Sequence, residues 1–135
     1  MSKKKSRKRL KQAGLIALIV IVALIIVSLV YVSNYYHVQN RQAALKSTDD
    51  VKVEEAEYGY FFDGPGNDTA LIFYPGAKVE DLAYASLLKQ LAADGIDCYL
   101  VHMPDNLAFM GMNRADKIME IYSYDHWYLA GHSLG

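Results

Sequence analysis

The five residues Gly131-His132-Ser133-Leu134-Gly135 set one hydroxyl between two glycines. Gly-x-Ser-x-Gly spacing fits a sharp strand-to-helix turn that lifts a serine side chain above a sheet, the glycines removing side chains that would clash there. The chemistry open to such a serine is nucleophilic attack, and an alcohol performs it only with a base at hand. A bare pentapeptide of this kind arises often by chance, so its weight lies in what precedes it. Here the apolar run "HWYLA" at 126–130, predicted as a parallel strand, leads straight into it.

No other residue in the chain pairs obviously with that serine. His132 is its neighbour, but adjacent residues on such a turn point in different directions, and His126 begins the same strand at its far end. His102 is better placed, at the carboxyl end of a predicted strand where ligands collect in open α/β sheets, yet the sequence offers no acid to orient it, so it reads as a rim residue. Cys98, the single cysteine, falls inside an apolar strand and reads as a small packed hydrophobe; it excludes an intrachain disulfide. Asp63, Asp105 and Asp125 lie beside turn residues and read as local turn chemistry. Eleven tyrosines suit sheet packing and a membrane interface. No cysteine-histidine cluster, phosphate loop or dinucleotide fingerprint occurs, so no metal or cofactor is expected.

The elements that must position the serine follow from pattern. Short apolar runs at 58–62, 70–74, 97–103 and 126–130 alternate with helical spacing, which predicts βα units and a parallel sheet. The runs are near-continuously apolar, as expected where helices cover both faces, and "YGYFF" followed by "DGPGN" predicts an antiparallel first hairpin. Ala83, Tyr84, Leu87, Leu88, Leu91 and Ala92 recur at helical spacing over 80–94, with Glu80 and Asp81 in the first turn and Gly95 beyond the end. A second helix over 114–122 has Ile118, Ile121 and Tyr122 as its predicted buried side.

With the serine turn, "LIFYPGAKVEDLAYASLLKQLAADGIDCYLVHMPDNLA" resembles the α/β-hydrolase superfamily, among them small bacterial membrane-anchored hydrolases, over about residues 57–135. The resemblance implies an α/β fold: the amino-terminal half of a mostly parallel hydrolase sheet with helices on both faces, preceded by a single transmembrane helix. It implies acyl transfer to Ser133, with an oxyanion hole built from the Ala77 and Leu134 backbone amides. Many members carry His-Gly where this chain has Pro75-Gly76, which matters little for a backbone donor. In the family the triad acid and histidine both follow the nucleophile, and nothing follows Gly135 here. The expectation is therefore a truncated form, nearly inert alone, with its nucleophile strand left as an apolar edge that invites a partner.

Residues 13–32, "AGLIALIVIVALIIVSLVYV", carry no charge over twenty positions, enough at about 1.5 Å per residue to span about 30 Å of hydrocarbon. Tyr31, Tyr35 and Tyr36 mark the predicted outer boundary. Seven of the fourteen cations lie in the first eleven residues, and the remaining 124 carry seven cations against fifteen acids. A basic head on an acidic body excludes nucleic acid as an expected partner and instead keeps the amino terminus cytoplasmic and the body outside. An uncleaved signal anchor is favoured over a cleaved signal peptide, whose apolar core is shorter and ends on small-x-small.

The expected organisation is a basic head (1–12), a transmembrane anchor (13–33), a polar stalk (34–56) with a helix near 38–45, and an incomplete hydrolase domain (57–135). The expected partners are a small-molecule acyl substrate, the membrane, and a possible complementing chain. The competing readings are a non-catalytic membrane-anchored interaction protein and a small membrane-active protein.

Overall fold

The structure, a computed structural model, describes residues 2–104 and 111–135, with side chains from residue 8 onward. Asp105 lies outside the described residues. The chain divides into two units, residues 1–34 and 35–135.

The first unit is one helix, α1 (Ser2–Ser33). Its part Lys8–Ser33 is long and apolar enough to cross a membrane, with mean hydropathy reaching 3.3. It has no apolar stripe because it is apolar all round. The Asn34 amide and the Ser33 hydroxyl both donate to the Val30 carbonyl and close its last turn.

The second unit contains α2 (Arg41–Leu45), β1 (Lys52–Ala56), β2 (Gly59–Asp63) and β3 (Thr69–Tyr74). A single 3-10 turn (Asp81–Tyr84) leads into α3 (Ala85–Ala93), followed by β4 (Asp97–Val101), α4 (Arg114–Ile121) and β5 (His126–Gly131). The five strands form one sheet in the order β1-β2-β4-β3-β5. Its core is parallel: β3 pairs with β4 on one side and with β5 on the other. The other pairings, β1 with β2 and β2 with β4, are antiparallel.

The antiparallel hairpin exists, but it precedes the expected one. It turns at Glu57-Tyr58 and joins β2 to β1, whereas the segment 64–68 carries the chain from β2 to β3. Pairing thus starts inside the segment expected as a polar stalk. The physical reason is that β1 needs little apolar surface: it is an edge strand with a mostly exposed burial pattern, while Val51 just before it is 2% exposed in the core.

Alternating side chains build two cores, one on each face of the sheet. Tyr60, Phe62, Phe73, Cys98 and Leu100 pack with Leu82, Ala85, Leu88 and Ala92 on the α3 face. Ala70, Ile72, Tyr99 and Val101 pack with Ala115 and Ile118 on the α4 face. All five residues of β4 are buried because both faces are covered. Much of the tyrosine content is accounted for on the second face, where the Tyr99 ring stacks on Phe61 at 4.6 Å and meets Tyr58, Tyr122, Tyr124 and Trp127.

Two helical expectations need correcting. Ala115, Ile118 and Tyr122 define the inward stripe of α4, and at about 100° per residue Ile121 falls well off it; it is 68% exposed. Likewise Ala85, Leu88 and Ala92 face the sheet from α3, leaving Ala83 and Leu87 in solvent. Helix cover also fails at β5, where Tyr128 is 58% and Leu129 63% exposed.

Replacing Phe62, fully buried at the centre of the first core, by Ala should cost about 3–5 kcal/mol. Ile121→Ala should stay within about 0.5 kcal/mol. Denaturant midpoints of the full chain in detergent would check both, and a similar loss at the two positions would contradict this core assignment.

Candidate active site

The register of the parallel pair β3 and β5 brings the predicted site residues together. β3 and β5 run side by side from Thr69 opposite His126 to Tyr74 opposite Gly131, so residues 75–77 and 132–135 leave the sheet at the same edge. One further bond, from the His132 amide to the Tyr74 carbonyl at 3.2 Å, extends the pairing beyond the strands.

The serine turn is tight. The Gly135 amide donates to the His132 carbonyl at 2.9 Å, and Ser133 at its centre has φ +57°. A left-handed backbone at a residue with a Cβ costs about 1–2 kcal/mol, and only Lys78 shares it among the described non-glycine residues. The flanking glycines have a steric cause. A Cβ on Gly131 would come within 2.5 Å of the Gly135 carbonyl group, and a Cβ on Gly135 within 2.2 Å of the Tyr74 oxygen. The turn therefore closes on itself and on the end of β3.

The loop after β3 meets that turn directly. A Cβ on Gly76 would lie 2.7 Å from His132 Nδ1 and 3.1 Å from the Tyr84 hydroxyl. The Gly76 amide donates to the Tyr84 hydroxyl at 3.1 Å, and that hydroxyl lies 2.9 Å from His132 Nδ1. The Gly76 amide is thus occupied. Among the described residues, the amides of Ala77 and Leu134 donate no hydrogen bond, and Ser133 Oγ has no partner. Unoccupied backbone N–H groups are the kind of donor that can stabilise an oxygen on which charge develops.

The other sequence candidates are placed as follows. His132 turns its ring to Tyr84, and His126 pairs with Thr69 at the far end of β5. Cys98 is buried, and its thiol is pushed up to about 12 by burial, with Asp97 adding to it; it is an unreactive packing group. Asp63 ends β2 just before the 64–68 connection, its carboxyl raised first by burial and then by Asp97. Asp125 is exposed beside β5.

His102 departs from expectation, because it does have an orienting acid. Its Nδ1 lies 2.7 Å from Asp81 Oδ2, the acid side chain being 5% exposed and the histidine 57%. Register sets His102 beyond the end of β4, on the opposite side of β3 from the serine turn. Asp81, Glu80 and Tyr84 are what sequence reasoning missed. The two acids look like ordinary first-turn residues complementing a helix dipole, and only their burial, Glu80 5% and Asp81 4% exposed, shows that they face inward.

An open cavity of about 620 Å³ between β5 and α4 adjoins the turn, lined by Tyr74, Met112, Asp116, Met119, Leu129 and Leu134 among others. Among the described residues no group of histidine, cysteine or acid side chains is arranged to hold a metal.

A parallel-cored sheet that presents a serine turn and free backbone amides at its carboxyl edge defines an α/β domain of the hydrolase kind. Residues 70–135 match the sequence model described as the alpha/beta hydrolase family, which supports that superfamily for this part of the chain. No curated protein and no solved structure matches the chain.

Because Ser133 holds a left-handed backbone, Ser133→Gly should be more stable than Ser133→Ala by about 1 kcal/mol. Denaturant midpoints of the two variants isolate the Cβ contribution, and equal midpoints would mean that the turn is unstrained.

Proposed function

We propose that this chain is a membrane-anchored serine hydrolase of the α/β-hydrolase type. Ser133 attacks the carbonyl of an ester or related acyl bond in a small-molecule substrate, and the Ala77 and Leu134 amides receive the developing oxyanion. The observation that carries the reading is Ser133 at φ +57° on a turn packed against the loop that bears Ala77. Attack forms the Ser133 Oγ–acyl bond through a tetrahedral adduct. Breaking the bond to the leaving group, with the serine proton passed to it through a base, gives an acyl-serine that water then hydrolyses.

Residues 1–12 form the cytoplasmic head, residues 13–33 anchor the protein in the membrane, and the body works outside the cytoplasm. The length and hydropathy of Lys8–Ser33 support the anchor, and the family match at 70–135 supports a hydrolase body. The base that activates Ser133 comes from outside the groups that now touch it, and a complementing chain is one source. Added imidazole can stand in for it.

A second reading draws on the exposed edge of β5, with Tyr128 and Leu129 in solvent: a non-catalytic protein that docks another chain on that strand.

One experiment separates the two. Incubated with a fluorophosphonate probe, the full chain in detergent should label slowly, label faster with imidazole, and lose all labelling in Ser133→Ala. Equal labelling of parent and variant, or none in either with imidazole present, would end the enzyme reading and leave the docking one.

A further inference from the structure

The segment between the end of α1 and β1 carries no chemistry in the reading above, yet its contacts converge on the loop that bears Ala77. Tyr36 forms a parallel bridge with Val79. Its amide donates to the Lys78 carbonyl, and its own carbonyl accepts from the Glu80 amide, both at 2.9 Å. Glu80 then turns its carboxylate back onto the same segment. Oε2 accepts from the Val38 amide at 2.7 Å, the other oxygen binds the Arg41 guanidinium, and the His37 ring lies 3.7 Å away. Arg41 also reaches the Tyr60 hydroxyl on β2 at 3.1 Å. Further along, Lys89 of α3 donates to the Ala43 and Lys46 carbonyls at the end of α2, and Val38, Ala44 and Leu45 pack on the first core.

On its other side the loop is held by the Val79 amide bonding to the Gly76 carbonyl and by the Tyr84 hydroxyl on the Gly76 amide. Lys78, between them, has φ +60°. A left-handed residue persists only where its surroundings over-determine it, and the 36–41 segment supplies much of that determination.

We propose that residues 36–46 are a working part of the active site, an arm that fixes the oxyanion loop, and that Glu80 is the positioning residue through which it acts. The inference rests on the acyl-transfer reading for its consequence, but its structural half can be tested apart. Glu80 touches no substrate. Its carboxylate ties the arm's Val38 amide and its one arginine to a position three residues after Ala77, so the direction of the Ala77 N–H depends on it. A displacement of about 1 Å in such a donor is enough to cost a large factor in rate.

The test uses the full chain in detergent micelles, with Glu80→Ala, Glu80→Gln and Arg41→Met. Two quantities are read: hydrogen exchange of the 76–84 peptide against the β4 peptide, and the imidazole-assisted rate of fluorophosphonate labelling at Ser133. Glu80→Ala should speed loop exchange roughly tenfold with β4 unchanged, and should slow labelling by roughly tenfold or more. Arg41→Met should move both readouts the same way by less. Glu80→Gln, which keeps an acceptor for Val38, should fall nearest the parent. The proposal is overturned if loop exchange in Glu80→Ala matches the parent, if β4 loosens equally, or if the loop loosens while labelling keeps its rate. Absence of labelling in the parent would instead strike the acyl-transfer reading, and the exchange comparison would still decide whether the arm holds the loop.

Discussion

The pairing of β3 with β5 in parallel, ending at Tyr74 opposite Gly131, is the constraint on which the site depends. Parallel strands end at the same edge, so the chain leaves both at one place, and the next few residues of each are forced into contact. The glycines are consequences of that contact. Gly76, Gly131 and Gly135 each stand where a Cβ would overlap a neighbour from the other loop or from the turn itself. A different register would separate Ala77 from Ser133 and leave three glycines with no steric reason to be there.

The cost of this arrangement is local. Ser133 and Lys78, the two described non-glycine residues with positive φ, lie on the two loops that face each other. Strain concentrated there is held by the rigid part of the sheet, where β4 is buried on both faces and Tyr99 is surrounded by five aromatic rings. The Tyr99 hydroxyl meets Tyr124, which donates to the buried Asp97 carboxylate, so even the polar ends of this core are satisfied. A stiff sheet lets two strained loops keep fixed positions.

The strands of the body and its two longer helices were legible because burial imposes a pattern on them. "ALIFY" and "HWYLA" are apolar enough to be recognised as strands, and Leu88 with Ala92 mark a helix face. β1 was not legible, since a five-residue edge strand reading Lys-Val-Glu-Glu-Ala exposes most of its side chains and leaves no apolar signature. Position of the serine turn was legible because glycine spacing encodes sterics directly. The grip on the Ala77 loop was not, because it consists of backbone bonds from Tyr36 and of acids whose partners lie far off in sequence: 39 residues for Arg41–Glu80 and 21 for Asp81–His102. Only a fold can bring such pairs together, and local composition describes Glu80 and Asp81 as surface residues.

Those two adjacent acids divide the work of holding one loop. Glu80 faces the arm and binds Arg41 and the Val38 amide, while Asp81 faces the sheet and binds His102 beyond β4, its second oxygen accepting from the Leu82 amide. Burying two neighbouring carboxylates is costly, and replacing buried ion pairs by apolar side chains is often neutral or stabilising. Stability alone therefore gives no reason for acids here, whereas geometry does. An apolar pair would fill the same space but would tolerate sliding and rotation of residues 77–80. Carboxylates that accept from an amide, a guanidinium and an imidazole in separate directions allow one placement of the backbone between Gly76 and Tyr84. The serine turn is fixed by glycines that leave no room for alternatives, and the facing loop by charges that leave no alternative partners; the two devices differ because one loop packs on a sheet strand and the other must reach across to the arm.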